Sequence, residues 1–210
     1  MKQIAIIGSG HLGQQILYHI HSDTDHKVVG FFDDFQEKGN TIKNIQILGN
    51  TNDVEELFKQ NIFDELIIAI GYKHLEFKKQ LFENFKNKIP FHTFIHSTSI
   101  VDPTAKIGQG TVIYPNCMID QDVEIGDNVM INISCSVAHD SVINKHCFLS
   151  PSVSIAGFVN ISELCILGIN STIIDNINIS EKIQLGGGTV VIKNLDTPGL
   201  YVGNPAKFIR

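Results

Sequence analysis

An aliphatic residue recurs at every sixth position from Ile95 to Val191, with no missed beat and no inserted residue. The row runs Ile95, Val101, Ile107, Ile113, Ile119, Ile125, Ile131, Val137 and Ile143, then Leu149, Ile155, Ile161, Leu167, Ile173, Ile179, Leu185 and Val191. Four residues after each of these up to Leu185 comes a small or β-branched residue, from Ser99, Ala105, Thr111 and Cys117 through to Ile177, Ile183 and Thr189. A period of six fits neither a helix face nor a simple alternating strand. It fits short strands joined by tight turns and wound about a common axis. Three hexapeptides close one triangular coil, so residues 18 apart stack at the inter-strand spacing of about 4.8 Å, and some five coils give a prism roughly 25 Å long. A single hexapeptide cannot bury its apolar side, so stability must come from stacked neighbours.

The register of this repeat assigns residues to the inside or the outside. Cys117, Cys135, Cys147 and Cys165 all occupy the inward slot four after an aliphatic, where they alternate with Val, Ser and Thr. They read as small core residues rather than metal ligands or redox groups. The outward slot, stepped by one coil, gives Phe94, Val112, Met130, Phe148, Ile166 and Gln184 on one face and Lys106, Glu124, Val142, Asn160 and Asn178 on another. The second row is expected to be wet. The first is expected to be buried against a neighbouring subunit, or else beneath the N-terminal domain.

Residues 1–94 follow a different rule. Gln3 to Ile7 reads as a buried strand, followed by Gly8-Ser9-Gly10-His11-Leu12-Gly13 and a helix with Leu12, Ile16, Leu17 and Ile20 on one side. Further strands are expected at Lys27–Phe32, Ile45–Leu48, Glu65–Ile70 and Ile89–Ile95, with helices over 52–60 and 73–86. Strands alternating with helices imply a parallel sheet covered on both faces. Gly8, Gly10 and Gly13 lie between strand and helix, and Asp33 follows Gly13 by 20 residues at the end of the second strand, as in a dinucleotide fingerprint. Glycines there let a pyrophosphate approach the backbone and the helix N-terminus. They also suit a tight turn with no ligand. The domain holds only half of a dinucleotide fold, which argues against NAD.

Composition narrows the partners. The 210 residues carry a formal charge of −6, with 43% apolar and 18% charged residues, an ordinary balance for a water-soluble protein. Residues 95–191 hold 9 acids against 3 bases, so no basic patch serves a nucleic-acid backbone. Arg210 is the only arginine, which leaves backbone N–H groups or lysine to hold any phosphate. No apolar run is long enough for a membrane span and no charged-then-apolar leader opens the chain, so a cytoplasmic location is expected.

Across its whole length the chain resembles the bacterial sugar acyltransferases that join a small Rossmann-like domain to a left-handed β-helix. The resemblance is carried by Gly8-Ser9-Gly10-His11, Phe32-Asp33-Asp34-Phe35, the array with Asn132 and His139-Asp140, and the ending Leu185-Gly186-Gly187-Gly188 through Gly203-Asn204-Pro205-Ala206-Lys207. It implies a Rossmann-like nucleotide-sugar-binding domain over 1–94 and a β-helix acyltransferase domain with a C-terminal tail over 95–210. It implies a homotrimer with acetyl-CoA lying in the groove between adjacent helices. By the resemblance, His139 is the general base, Asp140 orients it, and Asn132 contacts the sugar. Backbone N–H groups from Gly8 to His11, including Ser9 and Gly10, would hold phosphates, with Asp33 or Asp34 on the uracil or ribose side.

The cofactor side is expected at Ala156, Gly157 and Gly187, where small or missing side chains would let pantetheine pass, and at His146. Members close to this pattern carry a second histidine nine residues after the base; that position here is Phe148, and His146 stands two residues early. A solvated turn residue is the preferred reading of His146. Three convergent histidines for a γ-type carbonic anhydrase are missing from the array, and no metal is expected. The expected activity is acetyl-CoA-dependent N-acetylation of a nucleotide-linked amino sugar, of the UDP-4-amino-4,6-dideoxy type. O-acetylation of sialic acid or another sugar hydroxyl is the alternative, and a non-catalytic nucleotide-sugar scaffold is the reading from a different class.

Overall fold

The computed structural model describes all residues from Met1 to Arg210, in two compact units, Met1–Thr93 and Phe94–Arg210. The first contains β1 (Gln3–Ile7), α1 (His11–Asp23), β2 (Lys27–Phe32), β3 (Thr41–Ile42), β4 (Ile45–Gly49), α2 (Val54–Lys59), β5 (Glu65–Ile68) and α3 (Leu75–Phe85). The strand order is β3-β4-β2-β1-β5, parallel throughout except for the β3–β4 pair. β1 lies between β2 and β5, and its continuous run Ile4 to Ile7 is buried because both faces of a parallel sheet are covered. Ala5, Ile7, Phe32 and Leu66 pack with Val54 of α2 and with Leu81, Phe82 and Phe85 of α3. The alternate residues Ile4, Ile6 and Phe31 lie on the other face, where Gly13 lets α1 approach the ring of Phe31.

The expected strand over 89–95 does not form. Only Phe91 bridges to Leu66, beside a bond in which the Pro90 carbonyl accepts from the Leu66 N–H. Phe94–Ile95 instead pairs with Val112–Ile113 as the first rung of the second unit, so the six-residue beat claims Ile95. The other two helices are each preceded by a tight 3₁₀ turn, Thr51–Asp53 and Tyr72–His74.

The second unit is a parallel β-helix of two-residue strands in sheets of six, five and eight. Each strand pairs with the one 18 residues on, as Met118 with Ser136 and Ser136 with Ser154. Between strands, one residue of each turn from Asn116 to Lys182 sits in the left-handed region, φ 55° to 62°, at strict six-residue intervals. Asn, Asp and Ser fill most of these positions because their short polar side chains tolerate that conformation. The aliphatic row forms one core with the cysteines. The ending closes the prism: Gly199–Val202 extends the eight-stranded sheet beside Ile183–Leu185, and Lys207–Phe208 returns antiparallel to it.

Serine, threonine and cysteine in the second inward slot are bonded rather than merely small. Thr111 and Ser141 donate to the carbonyls of Gly126 and Ala156, each 15 residues on, at 2.8 and 2.9 Å. The thiols of Cys117, Cys135, Cys147 and Cys165 make the same contact to Asn132, Ser150, Ser162 and Ser180, at 3.0 to 3.2 Å. Burial, with Cys165 beside it, pushes the Cys147 thiol up. All four are free and buried, and no cluster of three His, Cys, Asp or Glu is placed to hold a metal. No helix is long and apolar enough to cross a membrane.

The two outward rows differ as expected. Lys106, Glu124, Asn160 and Asn178 are exposed. On the apolar row, Phe94, Val112, Met130 and Phe148 are buried. Further along the same row Ile166 is half-buried and Gln184 exposed.

Candidate active site

The three corners of the coil between Met130 and Leu149 each carry one of the residues singled out above. Asn132 follows the strand Met130–Ile131, His139 follows Ser136–Val137, and His146 follows Val142–Ile143. Successive corners of a triangular coil point in different directions, so one chain does not bring the three side chains together.

At the second corner, His139 Nδ1 lies 2.9 Å from Asp140 Oδ2, and both side chains are about two-fifths exposed. Asp140 takes the left-handed turn conformation, φ 56°, which turns its carboxylate back toward the preceding residue. One coil on, Gly157 provides the floor. A Cβ there would stand 2.8 Å from His139 Cε1 and 2.9 Å from Nε2, so any side chain at this position would displace the imidazole. Phe158 flanks the imidazole, its ring perpendicular to His139 with centroids 5.2 Å apart. With Nδ1–H donating to the carboxylate, Nε2 keeps a lone pair and can accept a proton.

Several expectations change in detail. The space over Gly157, expected to admit pantetheine, is taken by the His139 ring. Ala156 lies on the same corner, its carbonyl accepting from Ser141. Gly187 belongs to the corner that carries Asn132, where a Cβ would meet Ile169 at 3.0 Å. Asn132 is half-buried and its amide donates to the Leu149 carbonyl at 2.7 Å. His146 is not solvated: it is fully buried, in the left-handed conformation, with Nδ1 3.0 Å from the amide of Asn128 one coil back. Phe158 escaped the sequence reading. Its signal was an aromatic residue in a turn slot that Asn, Asp and Ser dominate.

In the first unit, the glycine loop is held from within. Gly8 has φ 97°, and a Cβ on it would stand 2.8 Å from the Ala69 carbonyl oxygen. A Cβ on Gly13 would strike the Gly8 carbonyl, whereas Gly10 faces open space. The Gly8 N–H donates to Phe32 and the Ser9 N–H to Asp33, so these two are not available to a phosphate. The expected phosphate site narrows to Gly10, His11 and the first turn of α1, whose N–H groups have no intrahelical acceptor. Asp33 Oδ2 also accepts from the Ser9 hydroxyl at 2.6 Å, and Oδ1 from the Phe35 N–H. Burial alone would raise the Asp33 carboxyl, but these bonds outweigh it and hold it below the usual carboxylate range. Asp34 accepts from the N–H and hydroxyl of Thr51. Both carboxylates thus anchor loops.

Comparison with known proteins follows the same division. Residues 3–85 match the model of the PglD N-terminal domain, and residues 94–191 that of the GMPPB C-terminal domain. A point mutant of perosamine N-acetyltransferase from Caulobacter crescentus, solved with CoA and GDP-perosamine, superposes with a TM-score of 0.91 at 24% identity, over 99% of this chain and 97% of that one. The chain has the fold of the hexapeptide sugar acyltransferases. The acetyltransferase domain of PglB from Neisseria gonorrhoeae, solved with acetyl coenzyme A, gives a TM-score of 0.87 at 21% identity over 99% and 98% of the two chains. WeeI from Acinetobacter baumannii gives 0.84 at 20% identity over 98% and 99%. No curated protein matches the sequence. In this acyltransferase fold the N-terminal domain is Rossmann-like and the β-helix left-handed.

Proposed function

We propose that the chain is an acetyl-CoA-dependent N-acetyltransferase of a nucleotide-linked amino sugar. The observation that carries this reading is the exposed His139–Asp140 pair over Gly157, in a fold whose likenesses were solved with CoA, acetyl-CoA or an amino-sugar nucleotide. The sugar amine attacks the thioester carbonyl carbon while its proton passes to His139 Nε2. Asp140 orients the ring and stabilises the imidazolium. Collapse of the tetrahedral intermediate breaks the C–S bond, and the departing thiolate takes the proton back from the imidazolium. No acyl-enzyme is needed, in keeping with four cysteines buried in the core.

The first turn of α1, with Gly10 and His11, would receive the nucleotide phosphates. Asn132, Ala156 and Gly187 remain proposed contacts to sugar and coenzyme; His146, fully buried, would act only as support. Because Asn132 and His139 stand on different corners, a homotrimer that sets the corner of one copy beside the face of the next is the assembly proposed. The proposed substrate is a UDP-linked 4-amino-4,6-dideoxy sugar, made and acetylated in the cytoplasm for surface glycan or glycoprotein synthesis. Its GDP-linked counterpart is the comparison substrate.

Calorimetry separates the readings. Binding of both acetyl-CoA and a nucleoside diphosphate supports N-acetylation of a nucleotide sugar. Acetyl-CoA binding without any nucleotide points to O-acetylation of a free sugar, and nucleotide binding without acetyl-CoA to a scaffold.

A further inference from the structure

The left-handed turn slot of this β-helix is occupied at four places by asparagine, Asn116, Asn128, Asn170 and Asn176, and elsewhere by Asp, Ser, His146, Leu164, Lys182 and Phe158, the one phenyl ring among them. A bulky side chain gains nothing from φ 57°, a conformation that L residues other than Asn, Asp and Gly adopt at a cost. Nor does Phe158 recover that cost by burial, since its side chain is among the exposed large apolar groups, at 55%. Lys182 holds the same conformation and is also exposed, so what sets Phe158 apart is the ring it brings to the site. The contact its side chain does make is with His139: the ring stands at 87° to the imidazole with centroids 5.2 Å apart.

We propose that Phe158 is a positioning residue for His139. Asp140 fixes the imidazole at Nδ1 and Gly157 sets its floor, but neither stops the ring from swinging about Cα–Cβ toward solvent. The edge-to-face contact with Phe158 closes that freedom and holds Nε2 where an acceptor amine can reach it. Its exposed remainder gives the site an apolar wall, which excludes water from the side of the imidazole facing Phe158. The inference rests on the reading of His139 as the base.

The test compares F158N, F158Y and H139A in the full-length protein. F158N installs the residue the same slot uses elsewhere, so its melting temperature is expected to equal or exceed that of the unaltered chain. Its kcat is expected to fall about tenfold, the scale of a modest misplacement of a catalytic group, with both KM values within about twofold. F158Y, which keeps the ring, is expected to retain most of the turnover. By NMR, the His139 Hε1 signal, identified by its loss in H139A, is expected to carry a ring-current shift that disappears in F158N and persists in F158Y. Unchanged kcat and an unmoved His139 signal in F158N would overturn the proposal, as would an equal loss of kcat in F158Y. Wild-type turnover in H139A would instead remove the base itself. An inactive H139A beside a normal F158N sinks only the role of Phe158.

Discussion

A serine, threonine or cysteine at the second inward slot does something that valine cannot, because its hydroxyl or thiol reaches the carbonyl 15 residues on. At Cys147 the acceptor is the Ser162 carbonyl, 3.2 Å away in a wholly buried setting. Cys147→Ser keeps a donor of similar size and is expected to cost less than about 1 kcal/mol, whereas Cys147→Val leaves that carbonyl short of a partner and should cost about 1–2 kcal/mol by chemical denaturation. In the folded protein, thiol reagents are expected to label none of the four cysteines, and a chain with all four replaced by serine should still turn over. Labelling that tracks loss of activity would contradict their role as core. Gly157 supports a sharper expectation. Gly157→Ala pushes a methyl group into His139, and kcat should fall by about two orders of magnitude while the melting temperature changes little. The sequence pointed to Gly157 as a place without a side chain. What it could not reveal is that the room serves the neighbouring histidine.

The elements that were legible are those whose periodicity is dictated by burial. β1 and β2 fall at the residues expected, since a continuous apolar run is what a doubly covered parallel strand requires, and the β-helix follows from its beat alone. The segment 89–95 was misread because its apolar residues serve two structures, Phe91 bridging to one sheet and Phe94–Ile95 starting another. The apolar row on the eight-stranded sheet was legible as buried from Phe94 to Phe148, but hydrophobicity says that a residue is covered, not by what. Asp33 was likewise legible as special, at the end of β2 beside the glycine loop, but its partner is Ser9. Asp33→Asn should lower thermal stability by about 1–2 kcal/mol and weaken nucleotide binding together, because the same bonds shape the loop. Since the folded carboxyl lies below its unfolded value, this contribution is complete above the unfolded value and disappears as pH falls through the folded one. A change in nucleotide affinity with no change in stability would instead mean that Asp33 touches the ligand.

On the scale of the whole molecule, stability should decline on mild acidification. His92 is buried with Nδ1 2.6 Å from Glu65, and burial lowers its pKa more than that carboxylate raises it. His21 is lowered in the same direction, by burial and then by Lys27. A histidine lowered by folding is protonated first in the unfolded chain, so its contribution is whole above about pH 6.5 and is lost as pH falls below that. The melting temperature is expected to drop between pH 7.5 and 5.5, and His92→Gln should flatten part of that drop; an unchanged slope would remove His92 from the explanation. Sedimentation should give a trimer, whereas a monomer with full turnover would contradict the assembly proposed from the separate corners of Asn132 and His139. The most direct measurement is mass spectrometry of UDP- and GDP-linked 4-amino-4,6-dideoxy sugars incubated with acetyl-CoA and either the unaltered protein or H139A. A gain of one acetyl group with the unaltered protein, and its loss by at least a hundredfold with H139A, is the result expected. Acetylation of neither sugar, or turnover by H139A within a few fold of the unaltered protein, would contradict it.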